Sequence, residues 1–194
     1  MIYPIYAYGN PVLRSKTQLL TAEHPKLQEV ITNMWETMDD ASGVGLAAPQ
    51  VGMPIRLFVI DSNILVEHYK EKDAKDNDFK DDIGYKGVFI NAQIHDDFGD
   101  EWGFEEGCLS IPGIRENVYR ADEIDIEWYD ENFVQHREVF KGLTARVIQH
   151  EYDHIEGILF TDHLKPLKKK MLKGKLADIA AGKVDVDYKM KFIP

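Results

Sequence analysis

Cysteine is almost missing from this chain: Cys108 is the only one in 194 residues. No internal disulfide can form, which fits a reducing compartment such as the cytoplasm. Long hydrophobic runs are missing too, and no stretch reaches the length needed to span a bilayer. Residues 1–6 lack the basic start and the long apolar stretch of a secretory signal. Positive charge is scarce. With 23 Lys and Arg against 34 Asp and Glu, the formal charge is -11, so the surface as a whole should not cling to nucleic acid or anionic lipid. Repeats and low-complexity linkers are also absent. The length suits one domain over residues 1–194 with a substantial core.

What is present is strongly patterned. From His24 to about Asp40, the residues Leu27, Val30, Ile31, Met34 and Met38 recur at helical spacing. Gly43, Gly45 and Pro49 then break the chain into an irregular segment. Residues 55–60 are almost wholly apolar and read as a buried strand, and residues 88–94 read as another. Ile124, Ile126 and Trp128 alternate with Asp125, Glu127 and Tyr129, the mark of a half-buried strand, and residues 134–140 are placed to pair with it. Residues 67–86 are dense in Lys, Asp and Glu and read as a solvated, mobile loop inserted between strands. Gly142 opens a helix on which Leu143, Val147, His150 and His154 share one face while Ile148, Tyr152 and Ile155 cover another. Pro166 starts a basic helix that runs to about Ala181 and ends at Gly182. Strands grouped before a core helix predict an α+β domain: antiparallel or mixed strands packed around the histidine helix, with a C-terminal helix.

That histidine helix holds the most informative residues. Gln149-His150-Glu151-Tyr152-Asp153-His154 contains H-E-x-x-H. Residues four apart on a helix stack one turn above the other, so both imidazoles can hold one metal ion with Glu151 beside it to move protons. The identity of the third ligand decides the chemistry. One peptidase class needs a third histidine six residues after the second, but that position is Phe160. Another needs a downstream Glu, and no Glu follows Glu156. Asp162 and His163 are weak substitutes. Upstream, Glu106-Gly107-Cys108-Leu109-Ser110 carries the only thiol. A thiolate with two imidazoles makes a tetrahedral site with one position open for water. A free cysteine standing alone is more often a small buried hydrophobe.

Three segments together carry a family resemblance. Gly43-Val44-Gly45-Leu46-Ala47-Ala48-Pro49-Gln50, then Glu106-Gly107-Cys108-Leu109-Ser110, then Gln149-His150-Glu151-Tyr152-Asp153-His154 resemble, in order and broad spacing, the three signatures of peptide deformylases. The charged segment over residues 67–86 is the main departure from that pattern. The resemblance implies hydrolysis of the formyl group on the N-terminal methionine of new polypeptides. It implies Cys108, His150 and His154 as metal ligands, with Fe2+ in the cell and Ni2+, Co2+ or Zn2+ as substitutes. Glu151 suits the role of proton carrier. The Gln50 amide and the Leu109 backbone N–H suit the role of donors to the formyl oxygen, although Gln50 taken without its neighbours reads as a polar residue ending a loop.

By the same resemblance, backbone at Val44 and Gly45 borders the substrate, and Arg115 touches the peptide beyond methionine. A plain surface salt bridge is the alternative for Arg115. Val44, Val147 and Ile148 lie near the motifs and are candidates to line the methionine pocket. Glu106 is placed to orient either the Cys108 loop or Arg146, and Asp153 to form a buried ion pair with Arg120. Lys165, Lys168, Lys169, Lys170, Lys173 and Lys175 crowd one segment and suggest docking on ribosomal RNA, or merely a solvated helix face. Two further readings stand beside this one: a metallopeptidase cutting internal peptide bonds, and a non-catalytic metal-binding module.

Overall fold

A computed structural model describes residues 1–72, 79 and 81–193. The chain runs through β1 (Ile5–Tyr6), α1 (Leu27–Asp40), β2 (Gly45–Ala47), β3 (Leu57–Asp61), α2 (Asn63–Lys72), β4 (Lys86–Cys108), β5 (Ile111–Tyr129), β6 (Gln135–Lys141), α3 (Gly142–Ile155), α4 (Pro166–Ala180) and β7 (Met190–Lys191). Strands β2 to β6 form one antiparallel sheet in sequence order, and β1 pairs with β7 in parallel. The result is an α+β architecture. Among the described residues, no helix is long and apolar enough to cross a membrane.

The apolar run in β3 is explained by its two covered faces. Leu57 and Val59 join a cluster with Leu27, Val30, Ile31, Met34 and Met38 of α1. Phe58 and Ile60 point the other way, into a cluster with Ala145, Val147, Ile148 and Ile155 of α3. Phe58 also stacks on Phe89 of β4, with ring centroids 4.8 Å apart. Truncating it to alanine should cost about 3–5 kcal/mol in lost transfer energy and cavity formation. The sheet thus lies between α1 and α3, and α3 is held against it by its apolar face.

Three differences from the sequence reading have physical causes. First, residues 67–72, expected in a loop, belong to α2. Leu65 and Val66 pack inward ahead of the charges, and Val66 is buried; residues 73–78 and 80 of that segment lie outside the described residues. Second, β4 and β5 are far longer than their apolar centres. They continue as a ribbon with acidic, solvated residues and several register shifts, so hydropathy marks only the part that packs. Third, α1 starts at Leu27 rather than His24, because Lys26 has a left-handed φ of 62° that no helix interior accepts. The last helix spans Pro166–Ala180, with proline in its first turn and Gly182 just past its end at φ 73°.

Candidate active site

The site is assembled where the end of β4 meets the middle of α3. The first turn of α3 is held from outside. An Asp82 carboxylate oxygen accepts the Leu143 N–H at 2.8 Å, and the Thr144 hydroxyl donates to the Ile83 carbonyl at 2.8 Å. Gly142 turns the chain at φ 56°, and a Cβ there would meet Asp82 Oδ1 at 2.2 Å. Two turns further on, the His150 and His154 rings lie one above the other, with centroids 5.2 Å apart. Cys108 is the last residue of β4, presented at a two-residue turn before β5. Its Sγ lies 3.3 Å from His154 Nε2.

One ligand atom from each of Cys108, His150 and His154 lies within 4.8 Å of the others. A thiolate and an imidazole sharing one tetrahedral ion sit about 3.5 Å apart, so this donor set fits a single metal. The donor chemistry fits as well. Burial would push the Cys108 thiol up, but the charges of His154 and His150 and their hydrogen bonds outweigh it and bring it down to about 5. The sulfur is then a thiolate at neutral pH, the form that ligates. His150 Nδ1 lies 2.9 Å from Glu106 Oε2. A carboxylate only accepts, so Nδ1 carries the proton and Nε2 is left to face the cysteine.

Glu106 is the hub beneath these ligands. Besides His150, it accepts from Arg120 Nε at 2.8 Å and Nη2 at 3.0 Å, and from Arg146 Nη1 at 3.1 Å. Sequence alone left open whether Glu106 serves Arg146 or the metal-site loop; it binds Arg146 and a histidine of the site at once. Burial raises its carboxyl, but the His150 and Arg120 hydrogen bonds win and hold it well below the usual range. Arg120 Nη1 also donates to Asp153 at 2.7 Å, the expected buried pair. Asp153 in turn lies 2.8 Å from His163 Nε2. His163 and Asp162 are therefore engaged elsewhere, Asp162 with Arg14, and neither joins the ligand group.

Glu151 is buried and pressed against β2. A Cβ on Gly45 would fall 2.5 Å from Glu151 Oε1, so only glycine leaves room for that carboxylate. Glu151 Oε2 is buried with no hydrogen-bond partner among the described residues. Burial outweighs the attraction of His150 and His154, and its carboxyl is pushed up to about 7. Gln50, also buried, is oriented by its own turn. Its Oε1 accepts the Ala47 N–H at 2.8 Å, which aims Nε2 at Cys108 Sγ (3.5 Å) and Ser110 Oγ (3.3 Å).

These groups open onto a cleft of about 640 Å³. Val44, Gly45, Gln50, Cys108, Leu109, Arg115, Val147, His150 and Glu151 all line it. Ile148 does not. It is fully buried in the cluster between α3 and the sheet, so its assignment to the methionine pocket is corrected. Arg115 stands at the exposed rim and pairs with Glu105 at 3.1 Å. Leu65, Phe104 and residues 185–188 also line the cleft without having been singled out. For Phe104, proximity to the Cys108 signature was an available signal; Leu65 and residues 185–188 lie far from every motif.

Residues 2–170 match the polypeptide deformylase family. The chain belongs to that family. It is 54% identical over 192 residues to the peptide deformylase of Christiangramia forsetii, with 99% of this chain and 96% of that one covered. Identity to the Cytophaga hutchinsonii peptide deformylase is 48% over 192 residues, covering 99% and 98%. Among solved structures, the fold is similar to a peptide deformylase from Legionella pneumophila, at TM-score 0.76 and 36% identity over 94% of this chain and 98% of that one. A Plasmodium falciparum peptide deformylase in complex with an inhibitor is similar at TM-score 0.74 and 31% identity, over 91% and 99%.

Proposed function

We infer that the chain is a metal-dependent hydrolase that removes the formyl group from the N-terminal formyl-methionine of new polypeptides and releases formate. The observation that carries this reading is the convergence of Cys108, His150 and His154 beside a buried, unpartnered Glu151 carboxylate, in a member of this family. Cys108, His150 and His154 would hold a divalent ion, which would supply a water of lowered pKa and Lewis acidity at the formyl group. Fe2+ is the proposed ion in the cell, with Ni2+, Co2+ and Zn2+ as substitutes, since one thiolate and two imidazoles suit all of them.

The chain's own groups carry the protons and the charge. Glu151, buried beside the ligand group with an oxygen free of protein donors among the described residues, takes a proton from the attacking water and hands it to the departing amine. The water oxygen bonds to the formyl carbon, the carbon–nitrogen bond breaks, and formate and a free amine leave. Negative charge builds on the formyl oxygen during attack. Gln50 Nε2 and the Leu109 N–H are the proposed donors to it, each worth on the order of 3 kcal/mol in the barrier. Val44 and Val147 form apolar wall for the methionine side chain, and Gly45 lets the substrate backbone approach. Arg115 is proposed to meet the peptide beyond methionine.

The test is formate release from formyl-Met-Ala-Ser by protein prepared without air, run beside a casein digestion. Formate release with intact casein is expected. Casein fragments without formate would overturn the reading in favour of a peptidase.

The proposed place of action is the cytoplasm, at the ribosome. Lys168, Lys169, Lys170, Lys173 and Lys175 are exposed on α4 in an otherwise acidic chain, which suits contact with RNA phosphates. Changing Lys170, Lys173 and Lys175 to glutamate should weaken ribosome binding in a salt-dependent way and leave formyl-peptide turnover unchanged. Equal ribosome affinity after the change removes this part of the proposal.

A further inference from the structure

Residue 188 lies beyond position 170, where the family match ends. Its side chain nevertheless reaches the turn that presents Cys108. After α4 the chain reverses at Gly182 and returns across the molecule, where β7 pairs with β1 and the Ile5 N–H donates to the Lys189 carbonyl at 2.8 Å. This return places Tyr188 half-buried in the same apolar cluster as Leu109 and Met38. The Tyr188 hydroxyl donates to the Leu109 carbonyl at 2.8 Å.

The turn Leu109–Ser110 needs such support. The pair Cys108–Ile111 closes the turn, but the ladder shifts register just before it, between Gly107 and Cys108. The turn is also tied at its edges. The Ser110 carbonyl accepts the Tyr8 N–H at 2.8 Å, and the Ser110 hydroxyl accepts from Gln50 Nε2 at 3.3 Å. Tyr188 supplies the tie at Leu109. Of the two donors proposed for the formyl oxygen, the Leu109 N–H lies in this turn and the Gln50 amide bonds to it at Ser110, so both meet the turn that this phenol holds by the Leu109 carbonyl.

We propose that Tyr188 is a positioning residue for deformylation: its bond to the Leu109 carbonyl sets the direction in which the Leu109 N–H and the Gln50 amide meet the formyl oxygen. This rests on the roles given to those two donors under the proposed function. Stabilisation of a developing oxyanion depends on donors preset within a few tenths of an ångström, and small misplacements cost rate rather than binding. The phenol acts through Leu109 and touches no reacting atom.

The test compares Tyr188→Phe and Tyr188→Leu with the unaltered protein, each loaded with nickel, with rates expressed per bound metal. Phe keeps the ring and loses the hydroxyl; Leu loses both. Both should lose kcat on the order of tenfold, less than the hundredfold or more for deleting a donor outright. KM for formyl-Met-Ala-Ser should stay within about twofold, as should affinity for the product Met-Ala-Ser, which has no formyl oxygen to stabilise. Only the Leu variant should lose thermal stability. Full kcat in the Phe variant, or a kcat loss that tracks melting temperature across the two variants, would overturn the proposal and leave the proposed function standing. Absence of formate release by the unaltered protein would overturn both.

Discussion

Glu106 and Glu151 are buried to nearly the same extent, 5% and 4% exposed, on either side of the same histidine, yet their surroundings are opposite. Glu106 receives N–H donors from Arg120, Arg146 and His150. Glu151 has one oxygen with no partner and a glycine backbone against the other. Burial pushes both carboxyls up; donors then pull Glu106 well below the usual range, while Glu151 is left at about 7. The difference lies in partners, not depth. One carboxylate is fixed as a permanent charge that orients a ligand. The other is free to gain and lose a proton near neutral pH, which suits the acid–base role.

Exchanging one side's character for the other's tests the comparison. The largest effect is expected at Glu151. Glu151→Gln keeps size and loses proton exchange, so formate release should fall by about a thousandfold. Metal content, read by elemental analysis, should be unchanged. The melting temperature should hold or rise, because a buried oxygen without a donor contributes nothing to the fold. A variant with more than a tenth of the original rate would remove Glu151 from the proton path. Glu106→Ala should behave differently. It strands Arg146, 2% exposed, as a buried charge and leaves Arg120, 7% exposed, with Asp153 as its carboxylate partner, and should cost about 3–5 kcal/mol in denaturant unfolding. It also frees His150 Nδ1, so chelator competition should show metal held about 10- to 100-fold more weakly. A loss under about 1 kcal/mol would mean that the network does not hold this part of the fold.

The division between these two carboxylates also marks how far the sequence could be read. His150, Glu151 and His154 were legible because helical spacing alone puts them on one face. Cys108 was legible because it is the only thiol and the downstream alternatives were missing. The pairing of β5 with β6 followed from alternation, and Ile124 does face Phe140 in register. Less could be read wherever the deciding contact joins distant segments. Nothing local says that Glu106 gathers two arginines and a histidine, or that Tyr188 comes back to Leu109. Ile148 was close to the motifs in sequence but is buried in the cluster between α3 and the sheet, which neighbouring sequence does not announce. The length of β4 was hidden because residues such as Asp96, Asp97 and Asp100 face water and carry no hydropathy signal.

A third carboxylate sharpens the contrast at the smallest scale. Asp82 lies in the charge-dense stretch whose composition suggested a solvated loop, yet it accepts the Leu143 N–H at the start of α3. It is half-buried, and burial raises its carboxyl while that single N–H pulls the other way. In environment it therefore stands between Glu106 and Glu151. Its task is that of a helix cap supplied from a distant segment, since Lys141 at the cap position offers no side-chain acceptor. Asp82→Ala should cost about 1 kcal/mol in unfolding free energy. Rate per bound metal should stay within about twofold, because two turns of helix separate Leu143 from His150 and the apolar face of α3 keeps its register against the sheet. Asp82→Asn retains an acceptor oxygen and should recover most of the loss. If alanine instead lowered the rate tenfold with stability intact, the start of α3 would be coupled to the chemistry, and the separation drawn between carboxylates that build the site and the one that works in it would fail.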